Sequence, residues 1–282
     1  MTTASNGSVL IVGCGYLGHR AARAWREQGR RVLALTRQNA AALAAQGIEP
    51  IIGDVLKPET LTKLPHVQTV LYAVARDRTS GQSMRDVYVQ GMTNVLNHLP
   101  VPERFLLVSS SSVYGQTDGS TVSETSQTEP VEESGQIVLD VEKRLRGRMP
   151  QANILRFAGI YGPDRILRRQ ALLAGEPLVG DAEKWINLIH VWDGVRAVLA
   201  AESIVGECIN IADGQPVTRR DLYTFLAEKL GAPSAKFEPG ESGRGDTNRQ
   251  IDISKARRLL GFAPHYPDYR VGFEASLAGL ER

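Results

Sequence analysis

Short apolar runs alternate with longer segments of helical periodicity through the first two thirds of the chain. The apolar runs predict strands near Ser8–Val12, Arg31–Leu35, Ile48–Ile52, Val67–Ala73, Arg104–Ser109, Ala152–Phe157 and Glu207–Ile211. The segments between them predict helices, as in successive βαβ units around a parallel sheet. The predicted fold class is α/β, a doubly wound parallel Rossmann sheet of about seven strands with a smaller mixed C-terminal lobe.

Composition narrows the function classes. The chain has 282 residues, and 33 basic against 31 acidic side chains leave a net charge of +2, which favours neither nucleic acid nor an anionic membrane. Cys14 and Cys208 are too few for a disulfide framework or a zinc cluster, so no metal site is predicted. Residues 1–7 lack a signal-peptide pattern, and no apolar run approaches ~18 residues. We therefore expect a soluble cytoplasmic protein.

A glycine-rich loop follows the first predicted strand. Gly13, Gly15 and Gly18 form a GxGxxG motif directly before the helical pattern His19–Gln28. Gly13 allows a tight turn, Gly15 lets backbone N–H groups approach a pyrophosphate, and Gly18 allows close helix packing. The motif alone is weak, but its strand and helix context predicts dinucleotide binding.

The next two strand ends bear on the choice of cofactor. The second strand ends at Thr36-Arg37 without the acidic residue that usually binds the ribose hydroxyls of NAD. Arg37 instead suits the 2′-phosphate of NADP, although a solvated arginine at a strand end is the alternative. Asp54 is placed to accept from an adenine amino group or to cap the following short helix. We expect NADP, with NAD possible.

The predicted cofactor site gathers the ends of the first five strands. Its residues are Gly13, Cys14, Gly15, Tyr16, Leu17, Gly18, Thr36, Arg37, Asp54, Val55, Ala73, Val74, Ala75 and Ser109. The dinucleotide-binding domain is predicted over residues 1–161, completed by about 187–212, and the remainder of 162–282 forms a smaller substrate-side lobe.

Several motifs together resemble the extended short-chain dehydrogenase/reductases, the nucleotide-sugar epimerase and dehydratase group. They are the glycine loop, Gly53-Asp54, the Ser-Ser-Ser-Ser-Val-Tyr-Gly segment ending at Gly115, Leu155–Pro163 and Ile189–Asp193. Extended members usually carry GxxGxxG, one residue longer than the loop here. This departure indicates an atypical branch, similar to the bacterial YeeZ-like proteins. The resemblance also implies a homodimer formed through helices near Gln82–Leu99 and Ser134–Arg148.

The family's catalytic pair, Tyr-x-x-x-Lys, has no counterpart in this sequence. When the segment is aligned on its glycine and on Glu142, Ser134 replaces the tyrosine and Val138 the lysine. A second register makes Lys143 the lysine but puts Leu139 at the tyrosine position. Ser134 is a catalytic candidate, but a hydroxyl without a base is a poor acid, and the alternative is a helix N-cap.

The serine-rich strand end supplies the other candidates. By resemblance, Ser110 is the residue that hydrogen-bonds a substrate carbonyl or hydroxyl, while the alternative is that it satisfies backbone groups. The predicted substrate residues are Ser110, Ser111, Tyr161 and Arg165. The alternative for Arg165 is a position on the solvated face of a helix, and the alternative for Tyr161 is an aromatic side chain of the core. His190 is interpreted as structural. Tyr114 is expected to pack the site rather than react.

Two functions remain open at this point. The first is an NADP(H)-dependent oxidoreductase or epimerase-like enzyme that acts on an unidentified small molecule with Ser110 as the orienting residue. The second is a non-catalytic dinucleotide-binding sensor or interaction protein, which the absent pair favours.

Overall fold

The structure is a computed structural model that describes residues 7–77, 79–240 and 247–279. The expectation that the N-terminus carries no targeting signal depends largely on residues 1–6, which lie outside the described residues.

A seven-stranded parallel sheet forms the centre of the fold, as predicted. Its strands, named with their chain-order numbers, are β1 (Val9–Val12), β2 (Val32–Thr36), β3 (Glu49–Ile52), β4 (Thr69–Tyr72), β5 (Arg104–Ser110), β7 (Asn153–Phe157) and β12 (Cys208–Ile211). Their spatial order is β12-β7-β5-β4-β1-β2-β3. This is the Rossmann order. From β1 the chain adds strands first toward one edge of the sheet, through β2 and β3, and then from β4 toward the other edge, and ligands bind at this switch point between β1 and β4.

The first six helices lie in the connections between these strands, and the last three follow β12. Their bounds are α1 (Tyr16–Glu27), α2 (Ala40–Ala45), α3 (Gly91–His98), α4 (Glu133–Arg148), α5 (Arg169–Leu173), α6 (Val191–Ala200), α7 (Arg219–Lys229), α8 (Ser254–Leu260) and α9 (Tyr269–Leu277). Short 3-10 turns occur at Pro58–Thr60, Ser111–Val113 and Ala201–Ser203, and a π-helical turn at Asp86–Gln90 precedes α3. Among these helices, none is long and apolar enough to cross a membrane.

Short two-stranded pairs complete the secondary structure. They involve β6 (Thr121–Val122), β8 (Gly159–Tyr161), β9 (Leu178–Val179), β10 (Trp185–Ile186), β11 (Leu188–His190), β13 (Val217–Thr218), β14 (Phe237–Glu238) and β15 (Gln250–Ile251). Within them, β6 pairs with β15, β8 with β11, β9 with β14 and β10 with β13.

Two compact units divide the chain. Unit 1 consists of the described residues within Met1–Ser110, Gln136–Arg156 and Val198–Cys208, and unit 2 of those within Ser111–Gly135, Phe157–Ala197 and Ile209–Arg282.

Each unit has its own apolar core. In unit 1 the core includes Leu10 and Val12 of the fully buried strand β1. It also includes Ile137, Val141 and Leu145 of α4, whose spacing of four residues follows the helical repeat. In unit 2 the core includes Tyr161 and Phe273, whose rings stack with centroids 4.1 Å apart.

Candidate functional site

The glycine loop connects β1 to α1 in unit 1. Gly15 is the N-cap of α1, no side chain caps this helix, and its first turn holds no acidic residue. The first N–H groups of a helix lack intrahelical partners and carry partial positive charge. Because its N-cap Gly15 brings no side chain to this end, α1 suits the pyrophosphate of a dinucleotide.

The three loop glycines have different steric surroundings. Gly13 has a φ of +99°, and a Cβ there would lie 2.4 Å from the carbonyl carbon of Ala73. A Cβ on Gly18 would lie 2.3 Å from the Gly13 carbonyl oxygen. At Gly15, by contrast, a Cβ would meet no atom of the described residues within 4 Å. Gly13 and Gly18 are therefore required by packing, whereas Gly15 leaves open space where a ligand can approach the backbone.

The other loop residues surround this space. Cys14 and Tyr16 are half-buried and Leu17 is buried. Burial raises the pKa of the Cys14 thiol to about 11, so the thiol is protonated at neutral pH. The guanidinium of Arg20 lies 4.2 Å from the Tyr16 ring centroid, within cation–π range.

The end of β4 borders the glycine loop. Ala73 N donates to Val12 O at 2.7 Å, which continues the pairing of β1 with β4 into the loop. Ala73 and Val74 are half-buried, and Ala75 is exposed. The structure therefore brings the predicted residues after β1 and β4 together at the sheet's switch point.

The end of β2 presents Thr36 and Arg37. Thr36 Oγ1 accepts from Asn39 N at 3.2 Å. Arg37 is 55% exposed in its side chain, and its Nη2 lies 4.0 Å from Oδ2 of Asp77, which is 47% exposed. Hydrogen bonds from the Thr79 side chain and backbone, with a smaller contribution from Arg37, lower the pKa of Asp77. An exposed pair at this distance is weak, so the Arg37 guanidinium can be shared with another anion.

Asp54 and Val55 follow β3. Asp54 Oδ1 accepts from Leu56 N at 2.9 Å, which closes a local turn. The predicted capping role is wrong, because the following 3-10 turn has Lys57 as its N-cap and no side-chain cap. Both Asp54 and Val55 are half-buried, and Val55 O accepts from Asn94 Nδ2 at 2.8 Å. The adenine contact of Asp54 stays a prediction.

A buried polar network holds the end of β5 in unit 1. Ser109 Oγ donates to Glu142 Oε1 at 2.5 Å. Arg156 binds the same carboxylate, with Nε 3.0 Å from Oε1 and Nη2 2.7 Å from Oε2. All three residues are at most 7% exposed. The Ser109 hydroxyl is thus fixed by Glu142, and the negative charge of Glu142 is compensated by Arg156.

The serines after Ser109 differ in their surroundings. Ser110, the last residue of β5, is half-buried. Ser111 opens the 3-10 turn of unit 2, and its carbonyl oxygen accepts from Arg249 Nη2 at 2.8 Å. Tyr114 is fully buried and donates from its hydroxyl to Asn210 Oδ1 at 2.8 Å, so it packs inside unit 2, and its lack of a reactive role stays a prediction.

Ser134 does not cap α4. The helix begins at Glu133, so Ser134 lies inside the first turn, and its Oγ donates to Glu132 Oε2 at 3.3 Å. The N-cap prediction is therefore wrong. Val138 is 7% exposed and belongs to the buried side of α4, whereas Lys143 is exposed, as expected for a solvated lysine.

The remaining predicted residues lie in unit 2. Tyr161 is fully buried, edge-on to His190 with ring centroids 5.3 Å apart, so in this conformation it offers no surface to a substrate. His190 is also fully buried, and its Nε2 lies 3.2 Å from Ser276 Oγ, in agreement with a structural role. Arg165 is exposed, in a turn where it pairs with Gly162.

Residues 9–212 match the model of the NAD dependent epimerase/dehydratase family. The chain belongs to this family. Among curated proteins, it is 30% identical over 278 residues to Protein YeeZ of Escherichia coli K12, a match that covers 92% of this chain and 96% of the relative. The expected family and its YeeZ-like branch are thereby confirmed.

Two solved structures share the fold. A putative NAD-dependent epimerase/dehydratase from Methylobacillus flagellatus matches with a TM-score of 0.78 and 30% identity, covering 99% of this chain and 100% of that one. MoeE5 in complex with UDP-glucose and NAD matches with a TM-score of 0.80 and 25% identity, covering 96% and 98%. The Rossmann architecture is therefore common to the family members and to this chain.

Sequence reasoning missed three polar residues near the strand ends. Glu142 served only to align the family motif, while Arg156 and Arg249 were not selected. Glu142 and Arg156 lie 14 positions apart on α4 and β7, and Arg249 lies 138 positions from Ser111. Long-range pairs of this kind leave no periodic signal. The useful signal is a charged residue at a position that the helical or strand pattern predicts to be buried.

Asp213 in unit 2 should make stability depend on pH. Asp213 is 3% exposed, and burial raises the pKa of its carboxyl to about 7. The hydrogen bond from Gln215 N lowers this pKa, whereas the negative charges of Asp268 and Asp193 raise it further. The folded state therefore holds a proton that the unfolded chain releases near pH 4. We expect the free energy of unfolding to fall by up to roughly 4 kcal/mol between pH 4 and 7 through this group.

Urea denaturation at several pH values checks this expectation. Asp213→Asn has no titrating group there, so its stability should change less than that of the unmodified protein as the pH rises from 5 to 8. Asp221→Asn, at an exposed position on α7, is the matched control. A pH dependence that is the same in Asp213→Asn and in the unmodified protein would contradict the assignment.

Proposed function

We propose that this protein is an NADP(H)-dependent oxidoreductase or epimerase-like enzyme that works without the Tyr-x-x-x-Lys pair. Its glycine loop, with an uncapped α1 and open space at Gly15, has the shape that a dinucleotide pyrophosphate requires. The bound nicotinamide supplies the hydride chemistry. The residues of the chain hold the cofactor, and Ser110 orients the small-molecule substrate.

The observation that carries the cofactor choice is the exposed Arg37 at the end of β2. Residues 36–40 are Thr-Arg-Gln-Asn-Ala, so this segment itself supplies no carboxylate to bind ribose hydroxyls. The carboxylate of Asp77, 4.0 Å from the guanidinium, is the negative charge that a phosphate would meet near Arg37. A guanidinium binds a phosphate through two parallel N–H groups, and such charge-assisted bonds are stronger than neutral ones. These features favour the 2′-phosphate of NADP over the hydroxyl of NAD.

Arg37→Ala should therefore weaken NADPH binding by roughly 10-fold or more, because one charge-assisted contact contributes about 1.5–3 kcal/mol. Binding of NADH should change little. Calorimetric titration of both cofactors into both proteins measures the difference. Arg31→Ala is a suitable control, because Arg31 is also exposed and pairs with Glu49. If Arg37→Ala affects both cofactors equally, the 2′-phosphate role is wrong, and if neither cofactor binds the unmodified protein, the proposed function fails.

A dinucleotide-binding sensor without hydride chemistry is the second candidate. It is favoured by the apolar, buried Val138 and by Ser134, whose hydroxyl bonds Glu132. Turnover of a carbonyl or alcohol substrate that disappears in Ser110→Ala, while NADPH affinity persists, would exclude this alternative.

The oligomeric state and cellular location stay predictions. A homodimer through the helices near Gln82–Leu99 and Ser134–Arg148 is what the family resemblance implies. Within one chain, Arg85 Nη2 lies 2.9 Å from Asp140 Oδ2 and connects these two helical regions. Sedimentation at micromolar concentration tests the dimer. The two cysteines and the balanced charge support a cytoplasmic location.

A further inference from the structure

The backbone of Arg249 in unit 2 is held by hydrogen bonds, and its side chain contacts the 3-10 turn Ser111–Val113, called the serine turn below. Asn187 binds the backbone of Arg249 and of the residue two positions after it, donating from Nδ2 to Arg249 O and accepting at Oδ1 from Ile251 N, both at 2.8 Å. The next residues form β15, which pairs with β6. The backbone of Arg249 is therefore fixed, and its side chain projects from an ordered strand end.

The guanidinium of Arg249 has more N–H donors than the described residues offer acceptors. One bond is made by Nη2, which donates to Ser111 O. Nε is buried and has no hydrogen-bond partner in the described part of the chain. Arginine carries five N–H donors, and buried donors without acceptors cost free energy. The group is thus a half-buried cation whose hydrogen-bonding capacity exceeds what the protein offers it.

Two residues of the same unit, Tyr114 and Glu132, interact electrostatically with the Arg249 guanidinium. Burial lowers the pKa of Arg249, whereas the charges of Tyr114 and Glu132 oppose that shift. Gly135 lies against the serine turn, because a Cβ there would be 2.3 Å from Ser112 O. Ser134 and Glu132, which share a hydrogen bond, are therefore next to the turn that Arg249 contacts. The negative charge of Glu132 would repel an anion that binds beside Arg249.

We propose that Arg249 binds an oxyanion of the substrate, a carboxylate or a phosphate, at the Ser111–Val113 turn. A negatively charged oxygen pair supplies the missing acceptors and the opposite charge, and the planar guanidinium matches its geometry. The turn directly follows β5, the strand whose carboxyl end carries Ser110. This inference rests on the proposed function and narrows its substrate class to small organic acids or phosphate esters.

Titration with inorganic phosphate and with succinate tests this site. The unmodified protein should bind at least one of the two, with a shift of the Arg249 Nε–H signal in nitrogen-labelled protein. Arg249→Gln should weaken binding at least tenfold, and Arg249→Lys should weaken it less. Arg258→Gln is the matched control, because Arg258 is exposed on α8 near the same strand. Absence of binding to the unmodified protein, or equal binding by Arg249→Gln and Arg258→Gln, overturns the proposal.

A second variant covers the case in which Arg249→Gln does not fold. Glu132→Gln removes the nearby negative charge and should tighten binding of both probes severalfold, whereas unchanged or weaker binding overturns the proposal. NADPH affinity is measured on the same samples. Failure of the anion site leaves NADPH binding intact, while failure of the proposed function removes NADPH binding from the unmodified protein, so the two outcomes are distinguishable.

Discussion

Glu142→Gln is expected to lower the free energy of unfolding by about 3–5 kcal/mol, the usual cost of breaking a buried ion pair from one side. The carboxylate of Glu142 is 3% exposed and accepts from both Ser109 and Arg156. Glutamine keeps the shape but removes the charge, which leaves the Arg156 guanidinium buried without its counter-ion. For a chain of this size the melting temperature should fall by roughly 10 °C.

Thermal and urea denaturation measure this loss, with Lys143→Gln as the neighbouring control. Lys143 is exposed on the same helix, so its substitution should change stability by less than about 0.5 kcal/mol. Replacing Glu142 and Arg156 together with leucines should recover part of the stability, because the uncompensated charge is then absent. If Glu142→Gln has the same melting temperature as the unmodified protein, the network of Ser109, Glu142 and Arg156 is not a major source of stability.

Gly15→Ala should weaken dinucleotide binding by roughly 100-fold while the protein stays folded, because a methyl group would displace the pyrophosphate and its charge-assisted bonds. The Gly15 φ of −93° is accessible to alanine, and the added Cβ would meet no protein atom within 4 Å. The methyl group therefore conflicts with the ligand and not with the fold. Gly13→Ala would confuse the two effects, because its Cβ would collide with the backbone of Ala73.

Calorimetric titration with NADPH and a melting curve on the same sample separate these effects. Gly147→Ala is the matched control, since Gly147 lies in α4 with nothing within 4 Å of an added Cβ. The control should bind NADPH normally and gain about 0.5–1 kcal/mol of stability, because alanine favours a helix more than glycine does. Unchanged NADPH affinity in Gly15→Ala would argue against the predicted pyrophosphate position.

The architecture could be predicted because it depends on local signals. Each buried strand of the sheet is a short apolar run, as in Val9–Val12, and most crossovers contain a helix, although the one between β3 and β4 contains only the 3-10 turn Pro58–Thr60. The order of elements and the rule of right-handed crossovers then restrict the topology. Gly13 and Gly18 could also be predicted, because only glycine fits where the backbone turns with positive φ or passes close to another segment.

Other predictions failed because they depend on geometry beyond the local pattern. Ser134 was expected to cap α4, but the helix begins at Glu133, two residues earlier than a cap at Ser134 requires, and helix boundaries shift easily by a residue or two. For Asp54 two roles were open, an adenine contact and a cap of the next helical turn, and the second is wrong because its carboxylate closes a turn onto Leu56. In both cases a short polar side chain has several backbone partners within reach, and the surrounding fold selects one.

The sequence by itself determined the family, the sheet, the glycine loop and the absence of a Tyr-x-x-x-Lys pattern, because these depend on residue types at fixed spacings. Only the tertiary structure decided which distant charges meet. It paired Glu142 with Arg156 and Ser109 inside unit 1, and it placed Arg249 on the carbonyl of Ser111 in unit 2. The physical reason is that burial and charge pairing are set by residues far apart in the chain, which no local periodicity records.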